Sequence, residues 1–372
     1  MVDTVVQHLE LEASIGGYEA ADAERDRIEA IYDSAAQLLN CRREEIALTD
    51  NATRAWQAVF YALPFSPGDR IVTGRAEYCS NYMAFLQISR RHGVEITVIG
   101  DDDDGQIDVS RLAEALDSRA RLVSLTHVPT SGGLVNPAAD VGRVARAAGV
   151  PFLLDACQSV GQMPIDVEEI GCDFLSTAGR KFLRGPRGTG FLYVRSEYLH
   201  RLHPAIVEVG SGAWAARDRY TLKSDARRFE TWEASHACQL GLGRAIDYAL
   251  DLGLDAIEAR VTLLARSLRT RLADIPQVAM HDLGERQCGI VTFSVAGIDA
   301  PTTKALLAQR RINVDYSTAE DTRLDFEARG LTQCVRRCTI STPRTRSTPF
   351  AARSRGSSDR RPSGSAAARC PF

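Results

Sequence analysis

The amino-acid sequence predicts an α/β fold built on a mostly parallel sheet. Short apolar runs alternate with segments whose apolar residues recur at helical spacing, and this alternation is typical of parallel strands joined by helices. The run at 151–154 is continuously apolar, as expected of a strand that is buried on both faces. Asp155 follows it directly, at the end of the strand where open α/β sheets bind ligands.

The composition is that of an ordinary globular protein. The chain has 372 residues, 44% apolar and 25% charged, and its net charge of −3 gives no reason to expect binding to nucleic acid or membrane. We find no apolar run that could span a bilayer and no secretory signal pattern, so we expect a cytoplasmic protein. Nine cysteines lie without CxxC pairs or metal-ligand spacing, which favours reduced thiols and no metal site.

The elements before the central stretch can be placed in order. Helical spacing covers residues 1–40, with an interruption at Gly16–Gly17. Apolar runs predict strands, and the segments between them predict helices. The strands are expected at 46–48, 70–73, 94–99 and 122–125, and the helices at 52–63, 109–116 and 138–148.

The central stretch, 151–195, carries the chemistry. Two more short strands are predicted at 173–175 and 191–194, and Lys181 lies between them, 26 residues after Asp155. An acid after one buried strand and a lysine after the next suit pyridoxal 5′-phosphate (PLP), which needs a lysine for its Schiff base and a carboxylate against its ring nitrogen. The alternative is a buried ion pair in an unrelated α/β protein.

Seven residues of this stretch resemble the cofactor site of the class V aminotransferase family, in which an Asp-Ala-x-Gln strand end is followed by a lysine and a Gly-Pro-x-Gly loop. The matching residues are Asp155, Ala156, Gln158, Lys181, Gly185, Pro186 and Gly188. The resemblance implies a fold-type I PLP enzyme, with a large domain around a seven-stranded sheet and a smaller C-terminal α/β domain. It implies that Lys181 forms the Schiff base, that Asp155 pairs with the ring nitrogen and that Gln158 bonds the phenolic oxygen.

The phosphate of PLP is expected at a helix start. Small polar residues before the helix at 52–63 can offer free backbone N–H groups to an anion, and the family places the phosphate on a similar Asn-Ala-Thr turn. We therefore assign Ala52 and Thr53 to phosphate binding, although a plain helix cap is the alternative. Near the lysine, the family's serine is missing, and Thr177 or Ser176 is expected to replace its hydroxyl. Arg180 supplies a fixed positive charge there.

Other positions depart from the family. Tyr78 stands where the family has a histidine that stacks on the PLP ring; it can still stack but cannot act as a near-neutral acid or base. Thr130 replaces an asparagine near the phenolic oxygen. The resemblance also places Asn81 and Arg336 at the substrate, with Arg336 binding its carboxylate. His127 is expected to be structural rather than catalytic.

The chain is expected to divide into a large domain at 1–255, a small domain at 256–336 and a tail at 337–372. Helices are predicted at 237–252 and 254–272, and a surface loop near 211–219. In the small domain we expect a strand at 289–294, a helix at 302–309 and a strand at 312–316. The family usually begins with a further short segment before the first residue here, and the tail reads as disordered or as the product of a frameshift after Arg336.

Of the reactions in this family, a C–S β-lyase acting on a cysteine conjugate or sulfoxide ranks first, near the sulfoxide lyases of ergothioneine biosynthesis. Residues 315–333 contain no cysteine, whereas desulfurases of the family carry their persulfide cysteine there. The alternatives are an epimerase resembling isopenicillin N epimerase, an aminotransferase, a cysteine desulfurase and a truncated pseudoenzyme. The resemblance implies a small amino-acid substrate and a homodimer.

Overall fold

The structure, a computed structural model, describes residues 1–338. Seven strands form its main sheet: β1 (Ile46–Thr49), β2 (Arg70–Gly74), β3 (Glu95–Ile99), β4 (Ala120–Thr126), β5 (Phe152–Asp155), β6 (Phe174–Ala178) and β7 (Gly190–Val194). Their order is β1-β7-β6-β5-β4-β2-β3. Only β7 runs against its neighbours, because every other pairing in this sheet is parallel. The predicted mostly parallel seven-stranded sheet is confirmed.

The central strands β5, β6 and β7 are buried on both faces, as their apolar runs predict. Alternate residues of β5 enter different cores: Phe152 and Leu154 pack in one cluster, and Leu153 packs in the other. The helices that cover the two faces are α1 (Val2–Ile15), α2 (Gly17–Ala23), α3 (Arg25–Leu39), α4 (Ala52–Phe60), α5 (Cys79–His92), α6 (Val109–Ala115), α7 (Ala138–Ala148), α8 (Val167–Ile170) and α9 (Ser196–Leu199). Burial of apolar side chains on both faces is the main force that holds these layers together.

Local sequence signals begin and end several of these helices. The Asn51 side chain accepts a hydrogen bond from the backbone of Arg54 and caps α4, and Asp108 caps α6 in the same way. Gly93 and Gly149 adopt left-handed conformations that end α5 and α7, as glycine does readily. The side-chain caps fix where α4 and α6 begin, and the two glycines fix where α5 and α7 end.

The prediction of a surface loop near 211–219 is wrong. Residues there form a two-stranded antiparallel hairpin, β8 (Gly212–Ala216) and β9 (Arg219–Leu222). Its strands are short and largely exposed, and β8 shows no alternation of apolar and polar residues that would mark a strand in the sequence. The two long helices after it, α10 (His236–Leu252) and α11 (Leu254–Ala273), agree with the prediction.

A second, antiparallel sheet lies in the C-terminal part of the described chain. Its strands, in the order β10-β11-β13-β12, are β10 (Val278–Met280), β11 (Ile290–Val295), β12 (Asp315–Thr318) and β13 (Gln333–Cys338). The helices of this part are α12 (Ala300–Gln309) and α13 (Arg323–Arg329). The strand predicted at 312–316 begins later than expected, and β10, α13 and β13 were not predicted. The predicted tail at 337–372 lies outside the described residues except for the last two positions of β13, and so does the frameshift hypothesis.

Within residues 1–338, none of the helices combines the length and apolar character that crossing a bilayer requires.

Candidate active site

A cavity of about 160 Å³ opens at the carboxyl ends of the central strands β4, β5 and β6, next to the first turns of α4 and α5. Nine residues predicted from the sequence line it: Ala52, Thr53, Tyr78, Asn81, Thr130, Asp155, Gln158, Arg180 and Lys181. They come from segments up to 129 positions apart in the chain, from position 52 to position 181. Parallel strands bring their carboxyl ends to one edge of the sheet, which explains why these segments meet.

Asp155 is the buried acid of the cavity. It ends β5, is 5% exposed, and accepts hydrogen bonds from the Asn81 side chain at 3.0 Å and from the Cys157 backbone at 3.0 Å. Burial raises the pKa of Asp155 to about 6; the nearby Glu77 charge adds to this rise, and Lys181 opposes it. The carboxylate therefore lies in a place where a further positively charged N–H group would be favourable.

Lys181 lies in the turn after β6. The backbone of this turn is packed tightly, because a Cβ atom on Gly161 would come within 2.6 Å of the Leu183 nitrogen. Gly161 has a φ of +90°, a conformation that favours glycine. This glycine lets the segment after Asp155 pack against the backbone that follows Lys181.

The expected phosphate site lies at the start of α4. Asn51 caps the helix, and Ala52 and Thr53 are its first two residues, whose N–H groups have no partner inside the helix. Arg180 lines the same cavity. Thr177, in contrast, lies outside the set of lining residues in the described chain: it is fully buried, and its hydroxyl donates to the Ala156 carbonyl at 3.5 Å.

Thr130 joins two other predicted residues. Its hydroxyl accepts a hydrogen bond from the Gln158 side chain at 3.1 Å, and its carbonyl lies 3.5 Å from the Arg336 guanidinium. Arg336 does not itself line the cavity as described, and it forms an ion pair with Asp315 at 2.9 Å. The arginine is thus held at the edge of the site through Thr130.

Tyr78 presents its ring to the cavity from the position just before α5. Its backbone N–H donates to Glu77 at 2.8 Å and lies 3.1 Å from the Thr126 hydroxyl. Burial raises the pKa of Tyr78, so its hydroxyl stays protonated at neutral pH. This agrees with a stacking role and not with that of a near-neutral base.

His127 is fully buried, and burial, aided by the Arg286 charge, lowers its pKa to about 3. Its side chain therefore stays neutral in the folded protein at neutral pH. Its backbone N–H donates to the Asp155 carbonyl between β4 and β5. These features agree with the structural role expected from the sequence.

Sequence reasoning missed the parts played by Glu77 and Cys157. Cys157 lines the cavity, and burial raises the pKa of its thiol to about 12. Glu77 is 5% exposed and accepts a hydrogen bond from Asn81 at 2.9 Å. Glu77 directly precedes Tyr78, and Cys157 directly precedes Gln158, so the sequence could have drawn attention to both positions. It could not reveal the contacts that Glu77 makes with residues of another strand.

The comparison with protein families agrees with this site. The family model described as Aminotransferase class-V matches residues 5–320. The chain belongs to the class V aminotransferase family. Class V aminotransferases of this kind are PLP-dependent enzymes, and the prediction of a fold-type I PLP enzyme is confirmed.

Individual relatives of this class V member are named as cysteine desulfurases. A probable cysteine desulfurase of Methanothermobacter thermautotrophicus is 30% identical over 284 residues, which are 76% of this chain and 71% of the relative. A cysteine desulfurase of Dickeya dadantii is 34% identical over 259 residues, 68% of this chain and 62% of the relative.

Solved structures show the same fold. The apo cysteine desulfurase of Thermococcus onnurineus NA1 superposes with a TM-score of 0.83 at 26% identity, over 90% of this chain and 86% of the other. C-DES, described as a cystine C–S lyase in complex with its product cysteine persulfide, superposes with a TM-score of 0.80 over 91% and 88% of the two chains. Its 22% identity shows the likeness of fold alone.

The residues of this class V enzyme fit PLP. A buried carboxylate with a raised pKa suits the N–H of a pyridinium ring, and the N–H groups that begin α4 suit a phosphate. Tyr78 and Lys181 line the same cavity. An aromatic ring there would suit the face of the cofactor ring, and an amine would suit its aldehyde. Asp155, Lys181, Ala52, Thr53 and Tyr78 are therefore the residues that would hold the cofactor.

Proposed function

We propose that this protein cleaves the bond between Cβ and sulfur in L-cysteine or a cysteine derivative. The observation that carries the proposal is the meeting of Lys181, Asp155 and Gln158 around one cavity beside the helix start at Ala52. PLP, when bound there, supplies an electron-accepting ring that stabilises negative charge at the α-carbon of an amino acid. The names of the relatives favour a sulfur-containing substrate.

The chain's own groups have separate tasks in this reaction. Lys181, which lines the cavity, removes the proton from the α-carbon of the substrate. Asp155 would hold the ring nitrogen of PLP with its buried carboxylate, and Tyr78 would offer the ring an aromatic face. Arg336 binds the substrate carboxylate from the edge of the site, next to Thr130.

Two C–S reactions differ in what receives the sulfur. A desulfurase passes it to a protein thiol and releases alanine, whereas a β-lyase releases the sulfur compound and leaves pyruvate and ammonia. The desulfurase, ranked below the lyase from the sequence, has the better support from the names of the relatives.

The second candidate, the β-lyase, is favoured by one specific observation. The chain segment 315–333, which begins with β12, contains no cysteine. The thiol that does line the cavity, Cys157, has a pKa of about 12 because of its burial, so it is protonated and a poor nucleophile. Elimination requires no protein thiol.

The decisive experiment incubates the PLP-loaded protein with L-cysteine or L-cystine, with and without dithiothreitol, and measures alanine, pyruvate, ammonia and sulfide. Alanine that depends on the reductant supports the desulfurase, and pyruvate with equal ammonia supports the β-lyase. Lys181→Ala should abolish either product, while the matched lysine control Lys223→Ala should keep full activity. Conversion of an L- to a D-amino acid with the C–S bond intact would overturn the proposal in favour of an epimerase.

We also propose that the enzyme is a homodimer. The segment around the β8–β9 hairpin exposes large apolar side chains, among them Trp214 at 80%, Ile206 at 68%, Val209 at 67% and Trp232 at 62%. Several exposed large apolar residues in one region are typical of a contact surface. Light scattering after size-exclusion chromatography tests this, and a monomer at micromolar concentration would contradict it.

A further inference from the structure

Glu77 is a buried carboxylate that no step of the proposed reaction uses. It is 5% exposed and lies between β2 and α5. Five groups donate hydrogen bonds to it: the hydroxyls of Thr73, Ser124 and Thr126, the backbone N–H of Tyr78 and the side chain of Asn81. These donors occupy both carboxylate oxygens of Glu77 and fix the position of its side chain.

Asn81 connects this acid to the cofactor site. Its amide nitrogen lies 2.9 Å from Glu77 Oε1 and 3.0 Å from Asp155 Oδ2. An amide nitrogen has two hydrogens, so it can donate one hydrogen bond to each of these two carboxylates. Asn81 is 1% exposed, so water does not compete for either hydrogen bond.

We propose that Glu77 is a positioning residue for the cofactor, which fixes the Asn81 amide and, through it, the Asp155 carboxylate that receives the ring N–H of PLP. The inference rests on the PLP site of the proposed function, but it does not depend on which product the enzyme forms. Glu77 does not touch the cofactor in this arrangement; it acts through Asn81.

The charges of the site give the physical reason. Two carboxylates share one neutral amide, so a proton or positive charge placed near either of them is stabilised by both. Of the charged groups that face Asp155, Glu77 raises its pKa and Lys181 lowers it. A protonated ring nitrogen next to Asp155 relieves the repulsion between the two acids, and Glu77 thereby favours the protonated form of the ring.

A purely structural role is the alternative. Through Thr73, Ser124 and Thr126, Glu77 also joins β2 to β4, and its loss could loosen the sheet edge as a whole. The two roles make different predictions for a ligand that lacks the ring nitrogen. A 1-deaza analogue of PLP, with C–H in place of the ring nitrogen, keeps the phosphate, the aldehyde and the aromatic face.

The experiment measures dissociation constants of PLP and of the 1-deaza analogue by fluorescence titration of the apoprotein. Glu77→Gln keeps the size of the side chain and removes its charge. We expect about a tenfold weaker affinity for PLP, the effect of losing one charge-assisted hydrogen-bond network. The affinity for the analogue should stay unchanged.

Glu45→Gln is the matched control. Glu45 is a buried glutamate that accepts hydrogen bonds from Ser196 and Arg42 at the start of β1, away from the cavity; this variant should bind both ligands as the wild type does. Equal weakening of PLP and analogue in Glu77→Gln would mean a structural role and overturn the proposal, as would no weakening at all.

A second variant keeps the proposal testable if Glu77→Gln does not fold. Asn81→Ala breaks the connection to Asp155 and leaves Glu77 with its four other donors. It should show the same selective loss of PLP affinity. If Asn81→Ala keeps the wild-type ratio of affinities for PLP and the analogue, Asn81 does not transmit the effect of Glu77 to Asp155. Neither binding result depends on whether the protein cleaves a C–S bond, so the two proposals can fail separately.

Discussion

The guanidinium of Arg336 lies 2.9 Å from the carboxylate of Asp315. The two residues are direct partners in the antiparallel pairing of β12 with β13, where opposite charges stabilise each other. Although partial burial raises it, hydrogen bonds from Lys304 and Arg336 lower the pKa of Asp315 to about 2. The acid is therefore ionised at neutral pH. It pairs with the same Arg336 guanidinium that is predicted to bind the substrate carboxylate.

Asp315 should compete with the substrate. Because Asp315 is half exposed, its pair with Arg336 contributes only about 0.2–1 kcal/mol, and Asp315→Asn should lower KM by up to about fivefold. The turnover number should not change, since the chemistry at Lys181 is untouched. Steady-state kinetics with L-cysteine check this.

Asp140→Asn is the control for that experiment. Asp140 forms an exposed ion pair with Arg143 on α7. The KM of the Asp140→Asn variant should therefore equal that of the wild type. A rise of KM in Asp315→Asn would instead mean that Asp315 orients Arg336 for the substrate.

Gly161→Ala should disturb the lysine loop. The added methyl group would meet the backbone of Leu183 and Phe182 at 2.6–2.8 Å, in a left-handed conformation that already costs about 1–2 kcal/mol for an L residue. We expect a loss of about 2–4 kcal/mol in the free energy of unfolding and weaker PLP binding, measured by urea unfolding and by cofactor titration.

Gly149→Ala is the control that separates the conformational cost of Gly161→Ala from the effect of its contact with the lysine loop. Gly149 also has a positive φ, but a Cβ atom there would meet nothing within 4 Å. Gly149→Ala should therefore lower the free energy of unfolding only by the cost of the left-handed conformation, and it should leave PLP binding unchanged. The explanation by contact with the lysine loop fails if both variants lose stability and cofactor affinity to the same extent.

Asp155 should make the apoprotein less stable as pH rises. Burial raises its pKa from 3.8 to about 6 in the folded state, so between about pH 4 and pH 6 the folded protein binds more protons than the unfolded chain. The free energy of unfolding therefore falls across this window, by about 3 kcal/mol for a shift of this size.

The measurement is urea unfolding of the apoprotein and of Asp155→Asn at several pH values from 4 to 7. The variant has no charge to bury, so its stability relative to the wild type should increase as pH rises through the window. A constant difference between the two proteins would show that Asp155 has an ordinary pKa in the folded state.

The sequence was sufficient for the elements that are buried on both faces. The strands β5 and β6 follow from continuous apolar runs, and the positions of Asp155 and Lys181 follow from the ends of those strands. It was not sufficient for the β8–β9 hairpin, whose strands are short and largely exposed and whose strand β8 shows no alternation of apolar and polar residues. Such strands depend on their pairing with each other, which a local pattern does not reveal.

The same difference holds within the site. The motif around Tyr78 was recognised from residues that are close in sequence, but Glu77 is bonded to Thr73, Ser124 and Thr126 on two different strands. The pairing of Arg336 with Asp315 depends on the register between β12 and β13. These relationships arise when distant segments come together, so they became visible only in the folded structure.

Tyr78 should act through its ring and not through its hydroxyl. The backbone of this residue is fixed by hydrogen bonds to Glu77 and Thr126, and burial raises the pKa of its hydroxyl, which keeps it protonated at neutral pH. Tyr78→Phe should therefore bind PLP as the wild type does. Tyr78→Ala should bind about two- to twelvefold more weakly, the loss of about 0.5–1.5 kcal/mol of ring stacking. Fluorescence titration measures both affinities, and equal losses in the two variants would assign the contribution to the hydroxyl instead.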